Sequence, residues 1–322
     1  MFPAIRMRRY RSSRNLRDLF AETYVNPEKL IMPVFIKEGL ASAEQINGMP
    51  GIFRYPPEGV TDYAEKLESI GLTTLILFGI PARKDKTGSS AYEEEGVIQR
   101  SIRKIKEKTS LNVIADLCLC EYTDHGHCGI LKGQTIDNDA TLEIYRKTAL
   151  SYAEAGVDMV APSGMMDGQV RAIRSELDDN GFSSTLIMAY SSKFASNLYG
   201  PFRNAAESAP SFGDRRSYQM DYRNGREAIR EIELDIEEGA DAVMVKPALF
   251  YLDLISRARK ITNLPLAAYM VSGEYSMIMN AIARGDLNAD TINEALVAPF
   301  RAGADMLITY FAESYAKNNQ SR

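Results

Sequence analysis

With 322 residues, 45% hydrophobic and 25% charged, the chain has the make-up of a globular protein of one large domain or two ordinary ones, which excludes disorder and a collagen-like scaffold. A net charge of −5 argues against general nucleic-acid binding, because phosphate contact needs a surplus of Lys and Arg. The longest apolar runs, such as 30–36 and 75–80, fall far short of the roughly 18 residues of a membrane span, and three Cys are too few for a secreted disulfide framework, so a cytoplasmic location is expected.

The chain opens on a basic stretch, MFPAIRMRRYRSSRNLRDLF, which lacks the apolar segment of a secretory signal. Its Arg and Ser content also suits a transit peptide, yet it runs without a linker into AETYVNPEKLIMPVFI. Residues 1–26 read as an arm that packs on a neighbouring, acidic subunit, and 27–322 as a single catalytic domain. Eight short apolar runs then follow: LIMPVFI (30–36), TTLILFG (73–79), LNVIADLCL (111–119), VDMVAPS (157–163), STLIMAY (184–190), DAVMVKP (241–247), LPLAAYM (264–270) and DMLITY (305–310). Runs of this length suit strands buried on both faces. Between most of them lie stretches of helical spacing, at 97–108, 142–155, 170–177 and 227–238. Helix passes to strand through one recurring joint, EAGVDMV, EEGADAV and RAGADML, in which Gly ends the helix in a left-handed conformation. The alternation predicts a (β/α)₈ TIM barrel with an N-terminal arm. An open doubly wound sheet is the alternative, but MPVFIKEGLASAEQ carries no Gly-rich phosphate loop. The long segments 81–96 and 193–226 follow strands, so a barrel places both on its catalytic face.

Lys246 ends one buried strand and Lys193 the strand before it. Two neighbouring ammoniums depress each other's pKa, and a neutral amine is what Schiff-base chemistry with a ketone needs. All three cysteines, Cys118, Cys120 and Cys128, and both histidines, His125 and His127, fall within DLCLCEYTDHGHCG. Strand period 2 puts Cys118 and Cys120 on one face, and the Gly-containing loop folds Cys128 back onto them. Three thiolates leave the fourth position of a tetrahedral zinc open, as in catalytic sites. The histidines read as loop-ordering or proton-relay groups. Asp116 shares the cysteine face, and Ser163, Tyr190, Tyr269, Ser272 and Tyr310 stand where strands finish. With Arg203, Arg215 and Gln219 on the long loop, they form a pocket suited to a carboxylate-bearing substrate.

These motifs resemble the porphobilinogen synthase (5-aminolaevulinic acid dehydratase) family along essentially the whole chain, from RRYRSS and LIMPVFIKEG through DLCLCEYTDHGHCG, APSGMMDGQV, MAYSSKFASNLYGPFR, GDRRSYQM, VMVKPALFYLD and AYMVSGEYSM to RAGADMLITYFA. The resemblance implies a TIM barrel that condenses two molecules of 5-aminolaevulinate into porphobilinogen with loss of two waters, for tetrapyrrole (haem-type) biosynthesis. It implies that Lys246 holds the substrate that becomes the propionate side, and Lys193 the one that becomes the acetate side, each as a Schiff base. Ser272 and Tyr310 would hold the first carboxylate, and Arg203, Arg215 and Gln219 the second. Asp116, Ser163, Tyr190 and Tyr269 would line the site, the first two handling protons, with Phe202 packing from the lid. Cys118, Cys120 and Cys128 would bind a zinc that polarises the second carbonyl or supplies a base. Glu231 in REAIRE matches an activating magnesium site between subunits. The implied assembly is a homo-octamer of arm-exchanged dimers, with no nucleic-acid or membrane partner. A class I aldolase would leave the cysteines and the second lysine without a role. A zinc-stabilised nucleic-acid binder would need a fourth ligand and a basic surface.

Overall fold

A computed structural model describes residues 3–320. The first two residues of the expected arm and the last two of the expected 27–322 domain lie outside the described residues.

Eight strands form the expected runs: β1 Leu30–Lys37, β2 Thr74–Ile80, β3 Asn112–Leu117, β4 Met159–Pro162, β5 Leu186–Lys193, β6 Ala242–Lys246, β7 Leu266–Met270 and β8 Met306–Thr309. Each pairs in parallel with the next. The circle closes where β8 pairs with β1, Leu30 opposite Leu307 and Ile31 opposite Ile308. Closure removes both sheet edges, and helices cover the outside, so most strand residues are buried, with Asn112 and Leu186 exposed where β3 and β5 begin. In β6 every residue is buried, Lys246 included.

The helices pack apolar stripes on the barrel. Val97–Lys108 buries Val97, Ile98, Ile102 and Ile105 and ends its exposed face on Lys106 and Lys108. Asn138–Glu154 begins with Asp137 accepting the Ala140 N–H at 3.1 Å, an N-cap that sets the helix start four residues earlier than apolar spacing predicts.

The three Gly-x-Asp joints use both residues. Gly156, Gly239 and Gly303 have φ of +92°, +101° and +118°, where a side chain is strained. The aspartates that follow reach back to the preceding barrel strand: Asp158 accepts from Val113 N, Asp241 from Ile187 N and Asp305 from Leu266 N, each at 2.8 Å. A carboxylate thus satisfies a backbone donor at the entrance of β3, β5 and β7, where the ladder has not begun. This is the bottom of the barrel, and it leaves the opposite rim free for chemistry.

Residues 3–29 have no buried member. They form a short helix, Arg14–Leu19, flanked by turns, with Ile5, Leu19 and Tyr24 exposed by 81%, 71% and 67%.

Candidate active site

Lys193 and Lys246 are the last residues of β5 and β6, and they stand opposite each other in the strand register. Pairing in a parallel ladder puts both side chains on one side of the sheet, at the barrel's upper rim. The Tyr190 ring lies between the two amines, 5.4 Å from Lys193 Nζ and 4.9 Å from Lys246 Nζ. Beyond this shared wall the surroundings diverge. Lys246 Nζ sits 4.1 Å from the Tyr269 ring, 5.1 Å from Phe202 and 5.4 Å from Tyr199. Burial pushes its pKa down to about 7, and the Lys193 charge adds to the effect. Lys193 Nζ instead donates to the Ser163 carbonyl.

Ser163 carries that polar chain onward, its hydroxyl donating to Asp116 Oδ2 at 3.0 Å. Asp116 Oδ1 is buried without a protein partner. Burial raises the Asp116 carboxyl to about 6 against the pull of both lysines. Such a group changes protonation near neutrality, as a proton-handling residue must.

The three cysteines come together, all buried, with their Sγ atoms within 4.8 Å of one another and Cys118 to Cys120 at 3.4 Å. The route differs from the sequence reading. β3 ends at Leu117, and Cys118 and Cys120 occupy the turn that follows. The expected strand face is therefore replaced by loop geometry, because the chain must curl to bring Cys128 over them. Cys118 and Cys120 hold the Cys128 thiol well below its usual range, whereas burial holds Cys118 well above its own. Three convergent soft sulfurs fit zinc, which takes a fourth ligand in its tetrahedral sites.

The loop is held by neighbours the sequence reading did not single out. Tyr145 donates to the Cys128 carbonyl at 2.8 Å, and its hydroxyl occupies the space beside Gly164. A Cβ at Gly164 would come within 1.7 Å of that oxygen, so only glycine fits there. Glu121 is buried, 3.2 Å from Cys120 Sγ, with one oxygen unpartnered. An acid directly after the second cysteine, at the end of the apolar run 117–120, was the available signal. Both histidines serve the loop: His127 Nε2 meets the Phe212 carbonyl at 3.0 Å and Nδ1 the Tyr218 hydroxyl at 3.1 Å, while His125 Nδ1 accepts from His127 N. Both His127 ring nitrogens are thus engaged by the segment that follows β5.

The segment after β5 closes over this rim. It bridges back through Phe194 and Met220 and contains a helix, Gly200–Ala205, so it is less irregular than its composition suggests. Phe202 packs 5.1 Å from Phe78 and 5.7 Å from Phe35, and its N–H donates to Ser272 Oγ at 2.9 Å. Tyr269 and Tyr310 share a hydroxyl contact of 3.2 Å. Arg203 Nε, Arg215 Nε and both amide atoms of Gln219 are buried without protein partners. Arg215 also donates to the Gly126 and Ser208 carbonyls, which pins the lid on the cysteine loop. Glu231 lies elsewhere. It is half-buried on the helix Gly225–Glu237, in a cavity of about 790 Å³ with Asp167, Glu227 and Glu238, and burial and those charges raise its pKa.

Residues 4–318 match the family described as delta-aminolevulinic acid dehydratase. The chain is 56% identical over 320 residues to the delta-aminolevulinic acid dehydratase of Archaeoglobus fulgidus, covering 99% of both. It is 55% identical over 311 residues to that of Methanothermus sociabilis, covering 97% of both. It also superposes on the Toxoplasma gondii enzyme, solved with the reaction product porphobilinogen, with TM-score 0.95 and 41% identity over 97% of this chain and 91% of that one. The chain belongs to the delta-aminolevulinic acid dehydratase family, the lyases also called porphobilinogen synthases.

Proposed function

We propose that this chain joins two molecules of 5-aminolaevulinate into porphobilinogen, releasing two waters, with one substrate held as a Schiff base on each lysine. The observation that carries this reading is the pair of register-matched amines, Lys193 and Lys246, beside a cluster of three sulfurs. At neutral pH much of Lys246 is a free amine, able to add to a ketone carbon and expel its oxygen as water. Ser272 and Tyr310 hold the carboxylate of the Lys246-bound substrate. Arg203, Arg215 and Gln219 hold the other, which accounts for their unpartnered polar atoms. Asp116, relayed by Ser163, takes and returns protons beside Lys193. Tyr190, Tyr269 and Phe202 exclude water and favour the uncharged amine.

Cys118, Cys120 and Cys128 would hold a zinc, which supplies a Lewis acid for the second substrate's carbonyl. Glu231 and its acidic neighbours suit an activating magnesium. The exposed apolar side chains of the arm suit contact with another copy, and we read the assembly as an octamer of arm-exchanged dimers. No helix among the described residues is long and apolar enough to cross a membrane, and the reading places the enzyme in the cytoplasm.

A pyrrole colour assay with 5-aminolaevulinate, on metal-stripped protein with and without zinc, tests the reading. Zinc-restored porphobilinogen formation is expected. Full activity in stripped protein would remove zinc from the chemistry, and no pyrrole under any metal would overturn the reaction.

A further inference from the structure

The helix Gly200–Ala205 places Phe202 against Lys246 and Arg203 at the rim, yet six residues are too few to be stable alone. Its C-terminal end is held from a distant part of the chain. Arg54, in a strand Phe53–Tyr55 that pairs beside β1, donates through Nε to the Ala205 carbonyl at 2.8 Å and through a terminal nitrogen to the Asn204 carbonyl at 2.5 Å. Its third nitrogen is turned toward Glu44 at 2.9 Å, which fixes the plane of the fork. The Arg54 side chain is only 11% exposed. Last-turn carbonyls lack helical partners and carry partial negative charge, so a planar cation that bonds two of them at once is a strong C-terminal anchor.

Two further cations meet the next turn. Lys84 Nζ donates to the Glu207 carbonyl at 2.6 Å, and Lys37 pairs with the Glu207 carboxylate. Glu207 has a φ of +49°, a backbone region that non-glycine residues occupy only when their surroundings hold them there. Three cations, from the end of β1, the short strand after it and the loop after β2, thus converge on residues 204–207. None touches an amine or a sulfur of the site.

We propose that Arg54 is a positioning residue: by gripping the Asn204 and Ala205 carbonyls it sets the lid helix so that Phe202 and Arg203 face the bound substrate, with Lys37 and Lys84 latching the turn beyond. The proposal rests on the lid and carboxylate roles given above. Its removal weakens substrate capture more than the covalent steps, because the lysines and Asp116 stand on strands that Arg54 does not contact.

The test uses the full-length, zinc-loaded enzyme and two readouts, steady-state kinetics with 5-aminolaevulinate and backbone hydrogen exchange. Arg54→Ala should raise KM roughly tenfold with kcat within about threefold of wild type. Amides of 202–208 should exchange at least about tenfold faster while those of the barrel strands keep their protection. Arg54→Lys keeps the charge without the fork and should resemble the alanine variant. Glu44→Gln leaves the fork less fixed and should fall between; these two carry the test if the alanine variant does not fold. Unchanged KM and lid exchange in Arg54→Ala would overturn the proposal. So would faster exchange spread evenly through the barrel, which would mark a general structural role. The exchange readout stands without catalysis, so it separates failure of this proposal from failure of the assigned reaction.

Discussion

Lys193 and Lys246 are neighbours in register, one strand apart, and they share a Tyr190 wall, yet they sit in unlike media. The Lys246 amine is ringed by four aromatic side chains, and the Lys193 amine is bonded to a carbonyl and linked through Ser163 to a carboxyl. Rings offer an ammonium some attraction but no hydrogen bond to replace water, so desolvation dominates and the proton leaves. On the proposed reaction, this difference suits two identical side chains to different stages: Lys246 as a ready nucleophile, Lys193 beside a proton store.

The largest expected effect breaks the pair outright. Lys246→Met should abolish borohydride trapping of 5-aminolaevulinate at that position and lower turnover by on the order of 10⁴-fold or more. Peptide mapping of the trapped protein checks it, and full-yield trapping elsewhere in the variant would refute the nucleophile assignment. Next, Cys120→Ala should take bound zinc from one ion per chain to none and cost on the order of 10²-fold in activity, with circular dichroism unchanged. Metal analysis decides it, since retained stoichiometric zinc would exclude the three sulfurs as its ligands. The finest effect sharpens the comparison. Trapping at Lys246 needs the unprotonated amine, so its rate should fall about tenfold per pH unit below pH about 7 and level off above it. Lys193→Met removes a neighbouring positive charge and should move that midpoint upward by roughly one unit. A midpoint that stays still would mean that the Lys193 charge has no part in setting the Lys246 pKa.

The barrel was legible because both of its signals are local. Each strand is a short apolar run, and the Gly of each joint marks a left-handed helix end. The Asp of the joint was visible as a repeat, but its task was hidden: Asp305 serves Leu266, 39 residues away, a pairing that only closure of the barrel creates. The lysines and cysteines were legible as chemistry, since a Lys ending a buried run and clustered thiols are costly or reactive wherever they occur. What escaped was support. Tyr145 under Cys128 and Arg54 on the lid read as ordinary helix and surface residues until the chain folds. Asp235 likewise occupies a position on the apolar stripe of Gly225–Glu237, where periodicity alone expects a hydrophobic residue, and burial raises its pKa to about 7. Glu121 stands within the cysteine motif, but an acid in a loop is ordinarily solvated and only the folded loop buries it.

All three sulfurs belong to eleven consecutive residues after one strand, whereas the two amines stand on two other strands. On the proposed reading, the donor atoms for an ion thus form a cassette of their own, separate from the two strands that carry the amines. On that same reading, a change of donor residues within that one segment alters which ion the site takes and leaves both lysines where they stand.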